Sequence, residues 1–182
     1  MQDFLVPNNN ELALATRAQL LNHTEIIFLK PFKKPSEIKQ YREHLKTQKI
    51  PLKYDIGVLI PITKVSDLAL AQKLKQFVKT VAVISDGSEK INRACLESKH
   101  VSHVFNLSTA TGRDHTHYRR GGVNQVLAKL ARDNKITYGV SFSRLLEETG
   151  WNGVRLLGRW LFNAKIFNKY KVPITIVSLA SR

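Results

Sequence analysis

The sequence predicts an α/β fold built on a parallel sheet of about seven strands, and three observations carry that prediction. Short β-rich runs alternate with helical patterns along the whole chain. Most of these runs are continuously apolar rather than alternating, as in strands covered on both faces. No low-complexity linker or internal repeat divides the chain, so residues 1–182 are expected to form one domain.

Phe4-Leu5-Val6 is a weak first strand, ended by Pro7-Asn8-Asn9-Asn10. Ile26-Ile27-Phe28-Leu29 and Ile56 to Leu59 read as the next two. Val65, Leu68, Ala71, Leu74 and Phe77 recur every three residues and predict a helix, with Lys73, Lys75 and Lys79 among its polar positions. Val81-Ala82-Val83-Ile84 is the fourth strand. The turn Asp86 to Lys90 then opens a helical pattern from Ile91 to Glu97, with Ser88 as its N-cap. A phosphate could sit on that helix start, but a capped Gly-Ser turn accounts for the same residues.

His103-Val104-Phe105 is the fifth strand. Beyond a long loop, Val123, Val126, Leu127, Leu130 and Ala131 fall at i, i+3, i+4, i+7 and i+8, the apolar face of an amphipathic helix. Ile136 to Val140 is the sixth strand. Trp151 to Tyr170 is the longest helix, with Leu157, Trp160, Leu161, Ala164 and Phe167 on one side and Arg155 and Arg159 on its surface. Pro173 separates it from the last strand, Ile174-Thr175-Ile176-Val177. Right-handed βαβ units of this kind close into a (β/α) barrel or lie open as a doubly wound sheet, and periodicity does not choose between them. In either, functional groups belong in the loops after the strand carboxyl ends.

The charge narrows the function. In 182 residues, 29 Lys and Arg stand against 14 Asp and Glu, a formal +15 and a pI of about 10.1. Such an excess repels itself in a compact fold, which points to a polyanionic partner, nucleic acid first. With 43% apolar residues the chain is expected to fold. Its longest apolar runs are too short for a bilayer, and Met1-Gln2-Asp3-Phe4 does not begin a signal peptide, so a cytoplasmic protein without membrane contact is expected. Cys95 is alone, which excludes an internal disulfide, and its helical setting makes it a packing residue rather than a nucleophile.

The loop from Thr109 to Gly122 is the most informative stretch. It exceeds the two to six residues of an ordinary βα connection, and it carries Arg113, Arg119, Arg120 and Tyr118. Guanidinium forks bind phosphate, and an aromatic ring stacks an unpaired base. A merely basic surface loop is the plainer reading, and RNA contact is preferred over it. His115-x-His117 in the same loop suggests a metal pair, but only Asp114 offers a third ligand and the neighbouring arginines repel a cation, so no metal site is expected. There is no phosphate-binding glycine loop, no nucleophile elbow and no paired carboxylates, and Glu147-Glu148 looks like a solvated helix end. No catalytic residue is expected on this chain.

Four segments in order resemble the RNase P protein component 3 family, the archaeal relatives of the eukaryotic thirty-kilodalton RNase P subunit. They are Glu89 to Glu97 with Asn92-Arg93-Ala94 at its centre, Gly112-Arg113 followed by Gly122 to Ala131, Asn134 to Leu146, and Lys169 to Ser178. The match runs from about position 80 onward. The resemblance implies a TIM-like (β/α) barrel related to the PHP phosphoesterases, without their metal centre. It implies an RNA-based ribonuclease, magnesium-dependent as a holoenzyme, that removes 5′ leaders from precursor tRNAs. The implied partners are the RNase P RNA, precursor tRNA, RNase P protein component 2 and other protein subunits. Arg93, Arg113, Lys129 and Arg144 become RNA contacts by motif, and Arg119 and Arg120 join them from the loop.

This chain departs from the family in three places. Asn124-Gln125 stand where the family has Asp-His, and the loop between Arg113 and Gly121 is richer in arginine and histidine. The sequence ends soon after the last strand, where the family continues, so an incompletely closed barrel is expected. Against the RNA-binding subunit stand two other readings: a metal-dependent PHP-type phosphoesterase, and a scaffold working through protein contacts.

Overall fold

The structure, a computed structural model, describes residues 2–109, 113–114 and 119–181. Seven parallel strands follow in chain order: β1 (Gln2–Leu5), β2 (Glu25–Lys30), β3 (Lys53–Ile62), β4 (Thr80–Ser85), β5 (His103–Phe105), β6 (Thr137–Ser141) and β7 (Ile174–Val177). Each pairs in parallel with the next, from β1 to β7. The helices between them are α1 (Glu11–Leu20), α2 (Pro35–Thr47), α3 (Leu68–Leu74), α4 (Glu89–Glu97), α5 (Gln125–Asp133), α6 (Phe142–Glu147) and α7 (Gly150–Lys169). The barrel, not the open sheet, is the architecture.

Closure is partial. Between β1 and the end of β7 there is one parallel bridge, Leu5 to Ala180, with the Val6 amide donating to the Ala180 carbonyl at 2.9 Å. Asp3 supplies the rest. Its Oδ1 accepts from the Ser178 amide at 2.7 Å and the Phe4 amide at 2.8 Å. A carboxylate thus stands in for missing ladder bonds along the seam.

The barrel interior is a small core of Phe4, Ile27, Leu29, Leu59, Ala82, Phe105, Val177 and Leu179. Inward-facing residues of the strands other than β6 supply it, alternating along β2 as the pleat requires. Gly139 faces Phe105 so closely that a β-carbon there would strike the ring. The larger core lies between strands and helices and includes Phe28, Val58, Val83, Leu96, Leu127 and Phe167. Glu11, buried on α1, accepts from Tyr41 Oη of α2 at 3.0 Å and pairs with Lys30 Nζ of β2 at 3.3 Å, joining three elements.

Several expectations are corrected. The buried stripe of α7 is Leu156, Arg159, Trp160, Asn163 and Phe167. Leu161, expected on the core side, is 60% exposed, and Leu157 is exposed too. Arg159, expected on the surface, is 0% exposed. Hydrophobic periodicity assigns polar residues to solvent, so a stripe carrying Arg159 and Asn163 is read one step out of phase. Val126 is exposed on α5, where Ala128 packs inward instead. Val65 begins a separate exposed 3₁₀ turn ahead of α3. The segment after β6, where a loop is expected at a strand carboxyl end, is α6 instead, capped by the Ser141 hydroxyl accepting from the Arg144 amide at 3.3 Å. β7 is not covered on both faces: Ile176 is 71% exposed.

Candidate nucleic-acid interface

The long loop after β5 is anchored at its base by fully buried polar side chains from two helices. Asn92 of α4 donates through Nδ2 to the carbonyls of Leu107, at 2.7 Å, and Gly122, at 2.9 Å. Its Oδ1 accepts from Ser85 Oγ at the end of β4. One amide therefore joins the end of a strand to both ends of the loop. Gly122 has φ +76°, and a β-carbon there would strike the Leu107 carbonyl, so glycine is required on both counts.

From the other side α7 supplies Arg159 and Asn163. Arg159 donates through Nε to Asp114 Oδ1 at 2.8 Å and through Nη1 to the Thr109 carbonyl at 2.6 Å. Asn163 Nδ2 donates to the Gly121 carbonyl at 2.8 Å. Asp114 also accepts from the Arg120 amide at 2.9 Å and faces Arg119 Nη1 at 3.8 Å. Desolvation pushes the Asp114 carboxyl up, but the Arg120 amide and the Arg159 and Arg119 guanidinium groups outweigh it and hold the group below its ordinary value. It remains a carboxylate wherever the fold is used.

This anchoring presents cations beside a groove. Arg119 lies against α7 so closely that a β-carbon on Gly158 would meet its guanidinium. Arg119 and Arg120 line a cleft of about 1090 Å³ between α5 and α7. The same cleft is lined by Phe162, Lys165, Ile166, Lys169 and Tyr170. Tyr170 Oη donates to Gln125 Oε1 at 3.1 Å, fixing the ring at the cleft edge. The Nζ atoms of Lys129 and Lys169 each lie 6.0 Å from the centre of that ring.

Of the expected contacts, Arg119 and Arg120 therefore come together, with Lys129 joined to them through Tyr170. Arg113 is exposed in the loop. Arg93, on α4, does not line the cleft and pairs with Glu97 at 2.8 Å. Arg144 is held by two carboxylates, Glu147 at 3.1 Å and Glu148 at 2.6 Å, so the expected solvated end at Glu147-Glu148 is an ion-pair network. His115, His117 and Tyr118 lie outside the described residues. Among the described residues no three of His, Cys, Asp or Glu cluster as a metal site. Cys95 is buried in the helix core, where desolvation pushes its thiol up to about 12, consistent with packing.

Lys165, Lys169, Phe162 and Tyr170 were not singled out by sequence. A signal existed. Once the buried stripe of α7 is centred near Arg159 and Asn163, Phe162 with Ile166 and Lys165 with Lys169 become two parallel i,i+4 rows on one flank.

Fold and face together define the class: a nearly closed seven-stranded parallel (β/α) barrel with a cationic cleft among its long loop and outer helices. No family model matches the chain. Curated proteins it is similar to are named Ribonuclease P protein component 3, as the motif resemblance implied. That of Methanosarcina mazei is 33% identical over 98 residues, 54% of this chain and 38% of that protein. That of Methanocaldococcus jannaschii is 32% identical over 120 residues, 64% of this chain and 48% of that protein. The chain thus matches less than half the length of these relatives. Among solved structures, a chain of the cryo-EM structure of archaeal Ribonuclease P with mature tRNA superposes with TM-score 0.74 and 23% identity, over 100% of this chain and 75% of that one. A crystal structure of an uncharacterized protein superposes at 0.54 with 7% identity. These two likenesses concern the fold. No described helix is long and apolar enough to cross a membrane.

Proposed function

We propose that this chain is an RNA-binding protein subunit of a ribonuclease P that removes 5′ leaders from precursor tRNAs, with the cleavage centre on the RNA. The observation that carries this reading is the similarity to curated relatives named Ribonuclease P protein component 3. The arrangement of charge supports it: Arg113, Arg119, Arg120 and Lys129 belong to one loop and the helix after it, and neutralising phosphates is the use such a cluster has. Arg93 joins them by exchanging its exposed partner Glu97 for a phosphate, since an exposed ion pair is worth only about 0.2–1 kcal/mol, whereas Arg144 would add a phosphate beside Glu147 and the largely buried Glu148. The RNase P RNA, precursor tRNA and RNase P protein component 2 are the partners, magnesium serves the RNA, and the assembly works in the cytoplasm. For the metal-dependent phosphoesterase, the described residues supply no ligand set.

Reconstituted cleavage of precursor tRNA, with and without this chain, tests the reading. Omission should slow cleavage or raise the magnesium requirement, and an unchanged rate at every magnesium concentration would overturn it. A filter-binding salt series tests the surface. Replacing Arg113, Arg119 and Arg120 by Ala should flatten the log–log slope by about 0.7–0.9 per lost phosphate contact.

A further inference from the structure

We infer that the cleft between α5 and α7 is a binding site for a short stretch of unpaired RNA, with separate bases on Tyr170 and Phe162, about 12 Å apart along α7, and its phosphates on Arg119, Lys165 and Lys169. This rests on the reading of the chain as an RNA-binding protein and names the class of RNA that this surface takes.

Three features lead there. The first is composition. The cleft is lined by the apolar Val123, Phe162 and Ile166 together with Arg119, Arg120, Lys165 and Lys169, against one acid, Glu89. A duplex offers its phosphates outward and hides the faces of its bases, so it would use the cations and leave the apolar lining unfilled. An unpaired nucleotide offers a flat π-face and a phosphate together. The second is ring geometry. Tyr170 is held by its hydroxyl on Gln125, so its ring is oriented before any ligand arrives. Lys129 and Lys169 near that ring add positive charge beside a stacked base. The third is size. A cleft of about 1090 Å³ lies just above the roughly 300–1,000 Å³ range of ligand clefts, more than one base needs.

The cations have room to act. Among the described residues Arg120, Lys165 and Lys169 make no ion pair, and Arg119 shares Asp114 with Arg159 at the longer distance of 3.8 Å. The base of the loop is fixed by Asn92, Arg159 and Asn163, so the rim that carries Arg119 and Arg120 is placed before RNA binds.

Fluorescence anisotropy with a labelled single-stranded oligouridylate and, separately, a blunt RNA hairpin tests the site on the full chain. Tyr170→Leu should weaken oligouridylate binding about tenfold while changing hairpin binding less than twofold. Tyr170→Phe keeps the ring and should stay within about threefold of the unaltered protein. Lys165→Ala combined with Lys169→Ala should weaken both probes. Equal binding of oligouridylate by Tyr170→Leu and the unaltered protein would overturn the site. A second measurement needs no variant: an oligonucleotide with one 4-thiouridine is photocrosslinked to the unaltered protein. Attachment should map to the peptides holding Phe162 or Tyr170. Attachment elsewhere alone overturns the site and leaves the cleft for a protein partner. Neither result depends on precursor-tRNA cleavage, so an inactive holoenzyme with crosslinking in the cleft rejects only the ribonuclease P assignment.

Discussion

The sector between β4 and β6 and the seam between β7 and β1 meet the same need, holding chain ends together at the carboxyl side of the barrel, by different means. The first spends three fully buried polar side chains, Asn92, Arg159 and Asn163, drawn from two helices. The second uses Asp3 and a single backbone bridge. Burying a guanidinium costs several kcal/mol before it is compensated, so its use in one place and not the other is informative. The sector carries a long loop whose arginines must face one cleft. The seam has only to stay shut.

The largest expected effect comes from breaking the first arrangement. Arg159→Leu leaves Asp114 without its closest cation and removes the 2.6 Å bond to the Thr109 carbonyl. Removing one partner of a buried pair costs about 3–5 kcal/mol, and the partial exposure of Asp114 argues for the lower end. At about 2–4 °C per kcal/mol, melting should fall by roughly 6–12 °C. A loss under about 1 kcal/mol in urea titration would mean that the loop is not held from α7. Acid gives a milder form of the same break. Asp114 has its carboxyl held below the ordinary value, so its contribution is complete above about pH 4 and is lost only as pH falls through the lower folded value. Melting of the unaltered protein should then decline below about pH 4 more steeply than that of Arg159→Leu.

Asn92→Ala comes next. It strips partners from the Leu107 and Gly122 carbonyls and the Ser85 hydroxyl, and should cost about 1–3 kcal/mol. Because Asn92 bonds both ends of the loop, hydrogen exchange should rise at Gly87 and through the Leu107–Gly122 base together. A rise confined to α4 would show that the loop is held from α7 alone.

How far all this could be read from sequence differs between the same two regions. β2, β3 and β4 show as apolar runs, Ile26 to Leu29, Ile56 to Leu59 and Val81 to Ile84, because helices and barrel interior cover both faces. β7 shows the same run, yet Ile176 is exposed, because sequence records hydrophobicity and not whether a neighbouring helix arrives. The arginines of the loop were legible as charge. The residues that place them were not: Arg159 and Asn163 sit on a buried face, where polarity reads as solvent exposure. Asn92 was legible only as part of a motif whose expected contact was Arg93, and the structure gives Asn92 a tethering role. Asp3, as a strand substitute, carries no local signal, since its partner is 175 residues away.

The seam should respond less. Asp3→Ala removes the acceptor of the Ser178 and Phe4 amides, but water reaches an open edge more readily than the base of the loop. We expect a loss of about 1 kcal/mol, with exchange accelerated first at Ser178. If Asp3→Ala costs as much as Arg159→Leu, the contrast fails and the barrel depends on its seam as heavily as on its anchored sector.

The smallest effect on stability is expected outside both regions, at Arg93. Its partner Glu97 is one turn further along α4 and exposed, and an i,i+4 surface pair contributes about 0.3–0.5 kcal/mol. Arg93→Ala should leave the melting temperature within about 2 °C while weakening RNA binding and lowering its salt dependence by about one contact. Arg159→Leu should do the reverse first, destabilising the fold and altering binding only through the loop it holds. Running both variants through one melting series and one salt series separates the residues that place the surface from those that use it. An Arg93→Ala protein that melts normally and binds RNA with an unchanged slope would remove Arg93 from the interface and leave the cleft between α5 and α7 as its centre.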